Sequence, residues 1–445
     1  MKEINTKVLI LGAGWSGYLS ADFLGPSVDK VILEKDSVYG GLSKTFCRKG
    51  MRFDVGGHRL CFKKKENISF LRSLIDKNDL LEINRVSKFF FKGKYFSYPL
   101  DIKSIMLLDK KSLWKIFLQM IAPKKNKKLR DNLENWLEFY YGKFLYEFFF
   151  KEYSEKVWGV PCSQISSHWA GIRIGRNSLS EMIKDVVFKK SDLKEKTDKF
   201  YYPRLGMGML MDSLFRRNKN DVRFLSGIRI KKIKCVDKKL QSVVISEGGQ
   251  DAEVKFEHLI STIPVTELFD LLTSNDKAVS AVQNKLKYRS LVTVSVVLEK
   301  DLLSGWHWCY FPEKEIIFSR IHEPKFWSRD MAEQGKTLVV AEIFCNYNDN
   351  VWNLEDADLA DKVIEDMIKV NILGSKKNII RYYVDRIKFA YSVHYVRDME
   401  NLKEMRGFLD SFENLVLTGR TGTHEYMDME ECIEDVRTKI DLLKK

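Results

Sequence analysis

The chain has 445 residues, 44% hydrophobic and 12% aromatic, with a formal net charge of +14 and 7 cysteines. That length is too great for one simple core and predicts two or three lobes; no apolar run approaches the roughly 20 residues that would carry a helix across a bilayer. The cysteines show no CxxC spacing, and His168, His258, His307, His322 and His394 show no pairwise ligand spacing, so unpaired packing thiols and no metal are expected.

The opening residues Met1 to Thr6 run straight into an apolar stretch without a leader pattern, and a cytoplasmic location is expected. Val8-Leu9-Ile10-Leu11 reads as a buried parallel strand. Gly12, Gly14 and Gly17 follow it directly, where glycine lets the backbone turn sharply and approach a pyrophosphate at the next helix's N-terminus. Ala21 and Leu24 continue the helix, and Lys30 to Leu33 is a second strand ending in Glu34. This carboxylate stands close to the roughly 20-residue spacing at which an acid accepts hydrogen bonds from the adenosine ribose hydroxyls, and it argues against a 2′-phosphate. Gly40 and Gly41, with Leu42 and Ser43 after them, give a second close backbone approach to the dinucleotide. All of these in register indicate flavin adenine dinucleotide, FAD.

The first 85 or so residues alternate strand and helix signals, as in a doubly wound nucleotide lobe. From about Ile102 to Val187 the chain turns helical, with an aromatic-rich stretch from Trp136 to Tyr153. Strand patterns return at Val222–Leu225, Ile228–Ile233, Val243–Ile245 and Leu259–Thr262. Further candidates at Val292–Leu298, Ile316–Ile321 and Leu338–Phe344 suggest a mostly antiparallel sheet, with a helix over Asp356–Lys369. Leu415–Leu417, then Thr418-Gly419-Arg420 and a helix from Met429, read as the closing strand and helix of the flavin lobe. The fold class expected is α/β: a Rossmann-like FAD-binding domain in three parts (1–85, 201–265, 405–445), an inserted helical domain (100–200) and an antiparallel substrate domain (266–404), with the substrate site between lobes.

Two basic clusters, Lys63-Lys64-Lys65 and Lys124 to Arg130, raise the question of a polyanionic partner. No nucleic-acid module is recognisable and acids are interspersed, so no nucleic acid is expected. A nucleotide diphosphate needs only a few of these charges; solvated surface lysines or an anionic membrane surface account for the rest. The run Phe144 to Phe150 raises membrane contact again, although acidic and polar interruptions favour helix packing. Tyr201 to Gly208 is glycine-rich but lacks a preceding strand and GxGxxG spacing, so it reads as a tight turn into a helix at Met209 rather than a nicotinamide site.

Gly419-Arg420-Thr421-Gly422-Thr423-His424-Glu425-Tyr426-Met427-Asp428-Met429-Glu430 resembles the C-terminal signature of the UDP-galactopyranose mutases. Phe53-Asp54-Val55-Gly56-Gly57-His58, Tyr153 to Cys162 (Y-x-x-K-x-W-G-x-P) and Arg320-Ile321-His322-Glu323 with Lys325-Phe326 are similar to other segments of that family. The wider superfamily includes protoporphyrinogen oxidases, phytoene desaturases and amine oxidases. The chain departs from the bacterial mutases at His424, where tyrosine is usual, and at Glu430, where the motif ends in aspartate.

The resemblance implies contraction of a nucleotide-linked pyranose to a furanose for cell-surface polysaccharide synthesis. The reduced flavin's N5 bonds to the anomeric carbon while the nucleoside diphosphate departs and returns, with no net redox change; NADPH is one candidate reductant. It implies that Arg173 and Arg320 grip the diphosphate, as planar, permanently charged guanidiniums can. Tyr391 and Tyr426 would place hydroxyls there, and Trp169 would join them in the substrate site. Asp428 would stand near the sugar and flavin end, and His58, Gly419, Arg420, Tyr426 and Met429 near the flavin. The plain alternatives are an inter-lobe ion pair for each arginine, core packing for the tyrosines, a helix-start salt bridge for Arg420 and a structural role for His58. A homo-oligomer and peripheral membrane association remain open partners, and a net FAD oxidase or dehydrogenase is the competing activity.

Overall fold

The computed structural model describes residues 2–98, 104, 108–121, 131–168, 199–273 and 286–444. A twisted sheet forms the nucleotide lobe, with strand order β10-β11-β12-β1-β2-β9 and β18 pairing β12 beyond its antiparallel segment. These strands are β1 (Lys2–Leu11), β2 (Lys30–Leu33), β9 (Val222–Leu225), β10 (Arg229–Val236), β11 (Lys239–Glu247), β12 (Gln250–Ser261) and β18 (Leu415–Leu417). β1, β2, β9, β12 and β18 pair in parallel, with Ile10 opposite Ile32 on one side and Ile260 on the other.

Parallel strands need cover on both faces, and the side-chain alternation supplies two apolar surfaces. Val8, Ile10, Ile32 and Ile260 meet helices Trp15–Leu24, Gly208–Asn218 and Met429–Leu443 on one face. Leu9, Leu11, Val31, Leu33 and Leu259 meet helices Val265–Thr273 and Met399–Leu409 on the other.

The second sheet runs β17-β13-β16-β15-β14-β6-β7. Its strands are β6 (Ser87–Phe91), β7 (Lys94–Ser97), β13 (Lys287–Leu298), β14 (Trp308–Tyr310), β15 (Arg320–His322), β16 (Thr337–Cys345) and β17 (Ile379–Val393). All neighbours are antiparallel except β14 and β6. Val292, Val294, Val296, Val339, Ala341 and Ile343 bury one face under helix Asp356–Lys369, through Leu359, Val363, Ile364 and Met367. The opposite face mixes buried apolar side chains such as Leu291, Val297, Val340 and Phe344 with buried polar groups, including Thr293, Ser295 and Glu342. Part of that face, with Leu291, Arg320, His322 and Glu342, makes one wall of the site.

Several local expectations change. A strand, β8 (Lys199–Pro203), does precede the glycine-rich turn, and it pairs with β5 (Leu80–Asn84). Its partner is distant in sequence, so the local pattern held no trace of it. Ile316–Phe318 lie in a turn rather than a strand; the Lys156 ammonium donates to the carbonyls of Phe311, Glu313 and Phe318 at 2.9, 2.8 and 2.7 Å and holds that loop in place. Cys47 and Cys235 are exposed rather than packed, and the cysteines are free thiols. In the basic run 63–65, the backbone N–H groups of Lys63 and Lys64 donate to Glu430, and Lys64 pairs with Glu434. Glu430 therefore ties the closing helix to the start of helix Lys65–Leu74. The cluster Lys124 to Arg130 lies outside the described residues.

Candidate functional site

A cleft of about 960 Å³ opens at the C-terminal ends of β1, β2 and β12, against the second sheet, where open α/β sheets place their ligands. Its volume is near the top of the roughly 300–1,000 Å³ range of small-molecule sites, enough for an elongated dinucleotide.

Backbone builds one end. A Cβ at Gly17 would sit 2.0 Å from the Gly12 carbonyl oxygen, so only glycine lets the first helix seat on the end of β1. Gly14 differs, because its open side faces the cleft and a Cβ there would meet nothing nearer than Gly41 Cα at 3.9 Å. Gly14 and Gly40 form a parallel bridge, and Gly40 N–H donates to Ala13 O at 2.9 Å, which joins the two glycine turns into one wall. Gly12, Gly41, Leu42 and Ser43 line it as well.

Glu34 is 8% exposed and is held at both oxygens, accepting from Ala13 N at 2.8 Å and Asp36 N at 3.0 Å. Each oxygen keeps a second acceptor direction beside the cleft, which suits a diol. The sequence-predicted nucleotide residues thus come together, with Gly17 acting through packing.

Side chains from distant segments build the other end. Arg320 on β15 sits opposite Glu342 on β16 and grips it with Nε, at 3.0 Å, and a second nitrogen. This is an ion pair within one sheet, not between lobes. Glu342 also accepts from Gly57 N and lies against His322 Nδ1, each at 3.0 Å. Burial alone would raise the Glu342 pKa, but Arg320 and His322 outweigh it and hold the carboxyl well below the usual range. One buried carboxylate therefore fixes both Arg320 and the turn that carries His58.

His58 Nδ1 lies 3.2 Å from Gly56 O. A carbonyl only accepts, so Nδ1 carries the proton and Nε2 is left as an acceptor; burial lowers the pKa and favours this neutral form.

Tyr391 and Tyr426 stack with ring centroids 5.7 Å apart, and the Arg420 guanidinium lies 4.3 and 4.5 Å from the two rings. Arg420 makes no salt bridge among the described residues, and its buried Nε and one terminal nitrogen have no protein partner. Buried charged donors rarely stay unmet, so a bound acceptor is the natural partner. The helix-start salt bridge foreseen as its alternative is absent there.

Asp428 caps helix Met429–Leu443, accepting from Glu431 N at 3.0 Å while Glu431 accepts from Asp428 N at 2.8 Å. Met429 O accepts from Trp15 Nε1 at 3.1 Å, joining the last helix to the first. Trp169 and Arg173 lie outside the described residues.

Sequence reasoning missed Glu342, Arg59, Trp308 and Tyr310, all of which line the cleft. Glu342 had a readable signal, as the single charge in the apolar strand TLVVAEIFC. Arg59 had none: it is exposed, without a carboxylate partner among the described residues, and its guanidinium lies 5.5 Å from the Trp308 ring only through tertiary folding.

Among solved structures, the chain resembles a reduced UDP-galactopyranose mutase, with 19% identity, a TM-score of 0.84 and coverage of 99% of this chain and 94% of that one. It also resembles a protein assigned as a protoporphyrinogen oxidase from Exiguobacterium sp. 255-15 (15% identity, TM-score 0.76, covering 99% and 98%). A putrescine oxidase bound to putrescine is similar at 14% identity and a TM-score of 0.63, covering 100% of each chain. At such identities these likenesses establish the fold. No curated protein sequence matches the chain. The sequence profile described as flavin containing amine oxidoreductase matches residues 24–435. With a glycine cradle, a buried carboxylate at the cleft edge and unmet arginine donors along one cleft, the residues fit the cofactor that this match implies: the chain belongs to the flavin-containing amine oxidoreductase family and uses FAD.

Proposed function

We propose that this enzyme is a nucleotide-sugar mutase of the UDP-galactopyranose mutase kind, which contracts a nucleotide-linked pyranose to the furanose. One observation carries the reading: the far end of the cleft is cationic. Arg59 and Arg420 line it without a carboxylate partner among the described residues, Arg320 and Glu342 offset each other as an ion pair, and the Asp428 carboxylate is turned to a helix cap. A diphosphate gathers charge as it leaves an anomeric carbon, and preorganised guanidiniums stabilise it. A protonated amine would be repelled there, which disfavours the amine-oxidase reading that the family's name suggests.

The flavin, when reduced, supplies the nucleophile, and the protein supplies position and charge. Gly12, Gly14, Gly40, Gly41, Leu42, Ser43 and Glu34 hold the dinucleotide, with Gly419, Arg420 and Met429 at its other end. Arg320, together with Arg173, binds the diphosphate; Glu342 occupies one edge of Arg320 and so sets which edge remains for phosphate. Tyr391 and Tyr426 contribute hydroxyls, Trp169 is a substrate-binding residue by resemblance, and neutral His58 offers Nε2 toward the flavin.

The test is incubation with UDP-galactopyranose with and without dithionite, followed by separation of the sugar nucleotides. A furanose product under reducing conditions is expected. Oxygen consumption with an amine, or turnover by the oxidised protein alone, would replace this reading with a net oxidase.

A further inference from the structure

Helix Lys110–Ile121, KKSLWKIFLQMI, contains no acidic residue. Leu113 and Ile116 turn inward against Phe89, Phe91, Phe96, Phe148 and Phe149. Lys111, Trp114, Lys115 and Leu118 recur at the spacing that places them along one helix stripe, and all four are exposed. Trp114 is 60% exposed and Leu118 43%, unusual for large apolar side chains on a helix whose other face is packed. Neither Lys111 nor Lys115 has a carboxylate partner among the described residues. Lys115 Nζ stands 5.3 Å from the Phe144 ring, and Lys92 stands 5.8 Å from Phe148, so half-buried aromatics and further cations extend the patch. Among the described residues, Asp109 receives Ser112 at the start of the helix, and Glu147 lies 3.8 Å from Lys143.

We infer that this stripe is a docking surface for an anionic lipid membrane, on which Trp114 and Leu118 enter the headgroup boundary while the flanking lysines meet lipid phosphates. Large apolar side chains flanked by lysines match an interfacial helix, and each half of the pattern matches one layer of the bilayer surface. A second copy of the chain fits less well, since two-fold pairing sets this lysine stripe against itself, and the net charge of +14 adds to the repulsion. Nucleic acid would meet the lysines but leaves Trp114 and Leu118 without apolar cover. The sequence had directed attention to Phe144–Phe150; there Leu145 and Tyr146 are buried and the phenylalanines half-buried, so that run supports the stripe from beneath. Tyr310 belongs to the same packed cluster and also lines the cleft, which places the surface one side-chain layer from the substrate end.

The test uses the full flavin-loaded protein and sedimentation with vesicles of phosphatidylcholine alone or with 30% phosphatidylglycerol. Binding at least tenfold stronger to the anionic vesicles, and lost in high salt, is expected. W114A/L118A and K111E/K115E should each weaken it at least fivefold, with flavin content and melting temperature unchanged. Brominated lipid should quench tryptophan emission in the wild type and less so in W114A. Equal binding by both double variants, or none by the wild type, overturns the inference. So would a concentration-dependent dimer abolished by W114A/L118A, or RNA binding that withstands that substitution but not K111E/K115E.

Discussion

The two ends of the cleft are made of different material. The wall at the glycine turns is backbone: Gly14 bridges Gly40, and Glu34 is pinned by the N–H groups of Ala13 and Asp36. The far wall is side chain, with Arg320, Glu342, His58, Tyr391, Arg420 and Tyr426 drawn from five separate stretches of sequence. A backbone wall requires small residues at set local spacings, whereas a side-chain wall requires charges to find one another across the fold. The first should fail through steric intrusion and the second through an unpaired charge.

The largest expected effect tests the charge wall. In Glu342→Ala the Arg320 guanidinium, 19% exposed at its side chain, loses its buried partner. Breaking such a pair from one side costs about 3–5 kcal/mol, measurable by denaturant unfolding. The Gly57 N–H loses an acceptor in the same change. A depressed carboxylate pKa contributes stability above the ordinary carboxylate range, and that stability is lost as pH falls through it; Glu342→Gln should therefore flatten the acid limb of the wild-type pH profile. A cost below about 1 kcal/mol would show that the pair behaves as an exposed one and would dissolve the contrast.

Steric intrusion comes next. Gly17→Ala places its methyl against the Gly12 carbonyl, and overpacking of this kind costs about 1–3 kcal/mol. Flavin retention after gel filtration should fall with it, because the helix that starts at the cradle must shift. Gly14→Ala should lose flavin affinity with little loss of apoprotein stability, since its side is open to the cleft. If the two variants behaved alike, the cradle would be packing alone.

These differences also explain what could be read in advance. The strand–glycine–helix unit, β13, β16 and the closing helix follow from short-range patterns, and they lie where the residues indicated. β8 eluded the same reasoning because its partner β5 lies more than a hundred residues earlier. β12 runs from Gln250, yet only its last apolar residues were singled out, although the charged–apolar alternation of its first half, paired with β11, is itself a strand signal. At the far wall, Arg320, Tyr391, Tyr426 and His58 came from resemblance. The pairing of Arg320 with Glu342 required the register of β15 on β16, which no local pattern encodes.

A smaller effect tests a buried imidazole behind the charge wall. His424 is fully buried with φ of 55°, stacks on His394 with centroids 5.5 Å apart and meets Tyr288 edge-on. Burial, helped by His394 and Arg406 and opposed by the Val393 carbonyl, lowers its pKa from 6.5 to about 3. The unfolded chain then binds a proton that the folded chain refuses, so stability is full above about pH 6.5 and falls as pH drops toward 3. The slope per proton is at most about 1.4 kcal/mol per pH unit. His424→Asn, which tolerates the left-handed backbone, should reduce the slope between pH 6 and 4; an unchanged slope would assign it to His394 or to the carboxylates.

The smallest expected stability change bears on which side of the contrast Asp428 belongs to. Resemblance places its carboxylate near the sugar, while its hydrogen bonds make it a helix cap reciprocated by Glu431. Asparagine caps about as well as aspartate, and alanine loses about 1 kcal/mol. If capping is its whole role, Asp428→Asn should keep wild-type melting and turnover, while Asp428→Ala should lower the melting temperature by a few degrees and leave turnover per folded, flavin-loaded molecule intact. If the negative charge acts on the substrate, Asp428→Asn should melt like the wild type yet turn over at least tenfold more slowly. The asparagine variant alone separates the two cases, because it preserves the acceptor that the helix needs and removes only the charge.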